Sequence, residues 1–260
     1  MGSKNAKKLV DAAIAEAAST GAITGVSTTD AVEEEQLHNF HLGTPALICR
    51  WRLSAATLPL ENRHLRALGK RQVQGKPVST KLIAWAKQHL EGTLRSGAAD
   101  HPDGVLMLVI DTQGQAVMSV GPYQDLLFTS EKQLVQRANE ACHEAHKTGI
   151  VPETLWLVHD DVLRVGIDEQ VSFSAVGSLI SDLAHTLGIT VIHDTELLQK
   201  VSVQQIAYDQ LFLASDEYGI ALGQKKNDTK TQSRVAQKMY DSYQALLELP
   251  HKKSHKQAAQ

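Results

Sequence analysis

Leu179 to Gly223 reads LISDLAHTLGITVIHDTELLQKVSVQQIAYDQLFLASDEYGIALG. Leu179, Ile180, Leu183, Ala184 and Leu187 recur at helical spacing, and Gly188 follows where a left-handed residue closes a helix. The next four residues, Ile189-Thr190-Val191-Ile192, form a β-branched run and predict a short buried strand. Asp194 and Thr195 offer caps for a helix through Leu197 and Leu198. A second helical turn is predicted around Val203 to Tyr208, leading into a strand from Gln210 to Ala214. That strand stops at the polar turn Ser215-Asp216-Glu217-Tyr218-Gly219, whose backbone N–H groups are not committed to a sheet and are open to a ligand.

Upstream, the chain separates into zones. Asn5 to Ala18 has the pattern of an amphipathic helix, and Ser19 to Ser27 is a run rich in Ser, Thr and Gly. The stretch from Pro45 to Leu53 is strand-like and turns polar at Arg50 and Arg52. From Lys81 onward, helical and strand patterns alternate, which predicts an α+β fold with α/β-like layers, one large mixed sheet and flanking helices. The expected division is a lead-in over residues 1–41, a main domain over 42–249 and a basic tail over 250–260. Glu131 to His146 is helical, with Leu134, Val135, Ala138 and Ala141 on one face, suited to packing on the sheet or on a second subunit.

Composition narrows the function classes. Lys+Arg 26 against Asp+Glu 29 gives a net charge of −3, which does not suggest nucleic acid as a partner. No apolar stretch reaches membrane length, the N-terminus carries no hydrophobic signal core, and the two cysteines, Cys49 and Cys142, make no disulfide framework. A cytoplasmic protein without a membrane partner is the expectation. His38 with His41, and Cys142-His143 with His146, lack the further ligands of a recognised zinc site, so no metal is expected.

With Lys81, the order of segments resembles the large domain of fold-type IV (class IV) pyridoxal-phosphate enzymes, which include aminotransferases and aminodeoxychorismate lyase. Lys81-Leu-Ile-Ala-Trp85 opens a helix, followed by the turn Asp100-His-Pro-Asp-Gly104 and the strand Val105 to Ile110. Asp111-Thr-Gln-Gly114 and the return through Gln115 to Val120 resemble the family's D-x-x-G-x-V-x-E hairpin, and Leu155 to Val165 resembles its next hairpin. The resemblance implies Lys81 as the Schiff-base lysine, pyridoxal 5'-phosphate as cofactor, an amino substrate and a homodimer. It places Lys81, Met118, Val176, Gly177 and Ser215 around the cofactor.

This cofactor needs an aldimine lysine, a carboxylate on its pyridine nitrogen and donors for its phosphate. Met118 stands where the family has the carboxylate, and it holds neither proton nor charge. Ala175-Val176-Gly177-Ser178 replaces Gly-Ile/Val-Thr-Arg, leaving backbone donors and Ser178. Ala214-Ser215-Asp216 replaces a Thr-Ser-Thr/Ser turn and sets an acid where a phosphate would lie. Only 80 residues precede Lys81, and none reads as the family's usual strand set, so the N-terminal small domain is expected to be missing or shortened.

Plainer readings stand beside these. Lys81 equally reads as a surface lysine at a helix start, Met118 as core and Ser215 as a turn serine. Arg50 and Arg52 either replace a lost anion clamp or stand solvated on an edge strand. Two functions stay open: a divergent class IV aminotransferase or aminodeoxychorismate lyase acting on an amino acid or amino-chorismate type substrate, and a catalytically silent relative that has lost the cofactor and serves as a binding or dimeric scaffold protein.

Overall fold

The computed structural model describes residues 42–224 and 233–258. The predicted helix at 5–18 and the pair His38 and His41 lie outside the described residues. Among the described residues, no helix is long and apolar enough to cross a membrane.

The N-terminal half builds a three-stranded antiparallel sheet in the order β1-β4-β5, from β1 (Pro45–Arg52), β4 (Val105–Asp111) and β5 (Ala116–Gly121). Helices α1 (Glu61–Leu68) and α2 (Thr80–Gly97) cover it, and the ribbon β2 (Gln72–Val73) and β3 (Lys76–Pro77) joins them. Ser79 accepts from the Leu82 N–H and so fixes where α2 begins. Leu82, Trp85, Ala86 and Leu90 then fall on one face and bury against Leu106, Leu108 and Met118.

The second half centres on a five-stranded mixed sheet, ordered β10-β8-β7-β11-β12. Its strands are β7 (Glu153–His159), β8 (Val162–Val165), β10 (Val191–His193), β11 (Gln210–Ser215) and β12 (Gly219–Leu222), and only β8 and β10 pair in parallel. Because strand side chains alternate, β7 and β11 serve two cores. Trp156, Val158, Phe212 and Ala214 pack with α4 (Ala175–Thr186) and α6 (Arg234–Ala258), while Leu155, Leu157, Leu211 and Leu213 pack with α3 (Glu131–Thr148) and α5 (Leu197–Ser202). A short parallel pair, β6 (Ile150–Val151) with β9 (Ser172–Phe173), links α3 to the start of α4.

The large mixed sheet is thus present, but it excludes Val105 to Ile110 and Ala116 to Val120, which had been expected in it. A strand buried on both faces, as β4 is along its whole length, carries no sequence mark of its partner. Val105 to Ile110 pairs with β1 and Ala116 to Val120 pairs with β4, so these strands build the N-terminal layer instead. The helical turn expected over Val203 to Tyr208 is not formed, since α5 stops at Ser202. The last helix continues through Pro250, so the boundary expected there falls inside α6.

Candidate functional site

The two layers meet at the turn after β11. The Arg52 N–H at the end of β1 donates to the Asp216 carbonyl (3.0 Å), and α1 docks on α4 through Arg63, which reaches Asp182 (2.7 Å) and Ser178 (3.1 Å). Between them opens a cleft of about 320 Å³, walled by Cys49, Arg50, Arg71, Arg137, Glu153 and the turn Ser215-Asp216-Glu217, among others.

Asp216 organises the floor. Its carboxylate accepts the Val176 N–H (2.9 Å) and the Ala175 N–H (3.4 Å), the free donors at the start of α4. His64 Nδ1 lies 3.4 Å from the same carboxylate, an electrostatic contact, because Nδ1 makes no hydrogen bond. Burial pushes this carboxyl up. The pull of His64, the Val176 N–H and Arg71 outweighs it, and the group sits below the usual aspartate value. The next donors of α4 are also met: the Gly177 N–H by Ser174 Oγ (3.4 Å) and the Ser178 N–H by the Ser174 carbonyl (2.9 Å).

Two forked ion pairs form the sides. Arg50 Nε and Nη2 each reach the Glu217 carboxylate at 2.6 Å, and Arg137 Nη2 and Nε reach Glu153 at 2.6 and 2.9 Å. The Arg137 guanidinium lies 4.9 Å over the Tyr218 ring. Cys49 faces the cleft, but burial pushes its thiol up to about 11, which removes it as a nucleophile at neutral pH.

The residues singled out in the sequence divide between the layers. Val176, Gly177 and Ser215 come together around Asp216. Ser215 Oγ accepts from the Glu217 and Tyr218 N–H groups (3.3 and 3.2 Å), so it is a turn serine. Met118 is fully buried in the N-terminal core. Lys81 is exposed on the first turn of α2, in a groove with Gln74, Pro77, Thr112 and Gly114. The expected convergence of Lys81 and Met118 with Gly177 and Ser215 is not found, because the apolar face of α2 turns position 81 outward. Arg50 is not merely solvated on its edge strand. Glu217 and His64 escaped the sequence because their partners are distant in the chain; Arg50 and Glu217 are 167 residues apart. Arg137 and Glu153 are 16 residues apart, but they sit on a helix and on a strand that follows it, where neither period pairs them.

These residues do not fit pyridoxal phosphate. The donors that would hold its phosphate are taken by Asp216 and Ser174, and among the described residues no lysine lines the cleft. Among the described residues, one trio able to ligate a metal comes together, His159, Asp160 and Asp209, at the β7–β8 turn and outside the cleft lining.

No protein-family profile and no curated protein matches the chain. Solved structures do. The chain is similar to 4-amino-4-deoxychorismate lyase from Pseudomonas aeruginosa, with 14% identity, 86% of this chain and 98% of that chain covered, and a TM-score of 0.52. It is also similar to a hypothetical aminotransferase from Mycobacterium tuberculosis in its apo form, at 11% identity, the same coverages and a TM-score of 0.54. The pyridoxal-phosphate-bound form of that aminotransferase matches at 10% identity with a TM-score of 0.53. At such identities the likeness is one of fold: the chain carries the class IV aminotransferase-like fold.

Proposed function

We propose that this protein is a catalytically silent form of the class IV aminotransferase-like fold, one that has given up pyridoxal phosphate and acts by binding. One observation carries the reading. The Asp216 carboxylate accepts the Val176 and Ala175 N–H groups at the start of α4, where a bound phosphate would need them. A phosphate dianion brought there would meet a fixed negative charge in a buried setting, which is repulsive by several kcal/mol on the order given by Coulomb's law at short range. The forked pairs Arg50–Glu217 and Arg137–Glu153 support the same reading, since they commit two of the arginines in the cleft wall to internal partners.

The test is a titration with pyridoxal phosphate followed by borohydride reduction and peptide mapping. The silent reading expects no new visible absorbance band and no pyridoxyl group on any lysine. A band lost on reduction, with label on Lys81 or another lysine, would restore the competing reading of an active class IV transferase or lyase acting on an amino substrate.

The proposal extends to a homodimer, supported by Leu127 and Phe128, which are 85% and 63% exposed on the loop beside the cleft. Light scattering of the full chain, with Leu127→Ser and Phe128→Ser as variants, decides it: a monomer at every concentration overturns this part.

A further inference from the structure

A second cavity, of about 530 Å³, lies between β12, α6 and the loop that follows β5. Its size falls in the ordinary range for small-molecule sites. Arg52 points into it from the end of β1, with its guanidinium stacked 3.2 Å over the Tyr123 ring. Tyr218 stands beside Tyr123, ring centres 6.3 Å apart, and Tyr240, Tyr243 and Gln244 of α6 complete the wall.

Arg52 Nη1 is shielded from solvent, and among the described residues it has no hydrogen-bond acceptor and the residue makes no ion pair. A buried guanidinium N–H without an acceptor is costly, so the arrangement is complete only when an acceptor arrives. The carboxylates near by do not serve. Both oxygens of Glu217 are held by Arg50, and Asp125 is exposed on the loop. The planar fork of an arginine matches a carboxylate or phosphate, and the aromatic faces around it match a flat organic group.

We propose that this cavity binds a small planar organic anion, an aryl carboxylate or aryl phosphate, whose oxyanion docks on Arg52 and whose ring rests against Tyr123 and Tyr218. The site borders the cleft between the layers at Glu217, shares no other lining residue with it among the described residues, and stands whether or not that cleft takes a cofactor.

Calorimetric titration of the full chain with benzoate and with phenyl phosphate tests it, with acetate and benzamide as probes that lack the ring and the charge. At least one aryl anion should bind, tenfold or more tightly than acetate and benzamide, and the tighter of the two names the oxyanion. Arg52→Gln should weaken that binding by about 10- to 100-fold, the range for losing a charge-assisted fork. Tyr123→Ala, in a loop outside both sheets, should weaken it several-fold and carries the test should Arg52→Gln fail to fold. Absence of binding by both aryl anions, or undiminished binding in the variants, overturns the proposal.

Discussion

The Val176 N–H donates to the Asp216 carboxylate at 2.9 Å, so the first turn of α4 is closed by a side chain 40 residues further along the chain. A helix start attracts anions through its free donors and its dipole, and here the anion is built in. Asp216 also ties the layers together, because its carbonyl accepts the Arg52 N–H.

Replacing Asp216 by Ala should therefore uncover a latent anion site. The loss of a buried, charged acceptor is expected to cost about 2–3 kcal/mol in a chloride buffer. Inorganic phosphate should then raise the melting temperature of the variant, by mass action, while leaving the parent chain unmoved. Equal phosphate responses in the two proteins would show that the carboxylate does not hold the site.

Asp216 also sets an acid limb. Its folded pKa lies below the unfolded value of about 3.9, so its contribution to stability is fully present above that value and fades as pH falls through the folded one. Asp216→Asn removes the titration. The gap in urea midpoint between parent and Asp216→Asn should be widest near neutral pH and narrow as pH falls below the unfolded value. A gap that stays constant from neutral to acid pH would sink the assignment.

How much of this was legible in the sequence depends on distance along the chain. The helix ending near Leu187 and the strand from Gln210 follow from local period and from Gly188, whose φ of +68° only glycine adopts readily. The strand core of β4 was equally plain, yet not its partner, since a run apolar on both faces fits any sheet. Lys81 was placed by its spacing to later segments. The stronger signal was nearer: Leu82, Trp85, Ala86 and Leu90 already assign the buried face of α2 and leave position 81 outside it. The Arg50–Glu217 pair joins residues from different layers, and Arg137–Glu153 joins a helix to a strand that follows it, so no local pattern announces either.

Arg50 and Glu217 lend themselves to a double-mutant cycle. Their side chains are 32% and 10% exposed, between a surface pair and a buried one, and the contact is forked. Arg50→Gln and Glu217→Gln should couple by about 1–2 kcal/mol, more than the usual surface pair and only partly screened by molar salt. Additive effects in urea unfolding would mean that the fork adds nothing to the joining of the layers.

Asp111 tests whether the D-x-x-G hairpin is a matter of turn chemistry. It is fully buried and accepts the N–H groups of Gly43 (3.0 Å), Gln113 (2.8 Å) and Gln115 (2.8 Å), while Gly114 takes φ +83°. Asp111→Ala leaves three donors without an acceptor and should cost about 2–4 kcal/mol. Asp111→Asn, which keeps one acceptor oxygen for Gln113 and Gln115, should cost less. Equal losses in the two variants, measured by urea unfolding, would argue against the turn as the reason for the aspartate.

Two glycines with the same backbone angle separate strain from packing. Gly188 and Gly219 both sit at φ +68°. A Cβ at Gly188 would meet nothing within 4 Å, whereas at Gly219 it would overlap the Tyr243 ring of α6. Gly188→Ala therefore carries only the left-handed backbone penalty, about 1–2 kcal/mol. Gly219→Ala adds a steric term of about 1–3 kcal/mol, because the methyl group would overlap the ring of the buried Tyr243 and force it to shift. The Gly219 variant should melt well below the Gly188 variant. It should also loosen α6 from β12, seen as faster amide exchange over Met239 to Tyr243 than over α4. Matching melting points would mean that Tyr243 yields to the methyl group, and that the close approach of α6 to β12 is not what requires glycine at the turn.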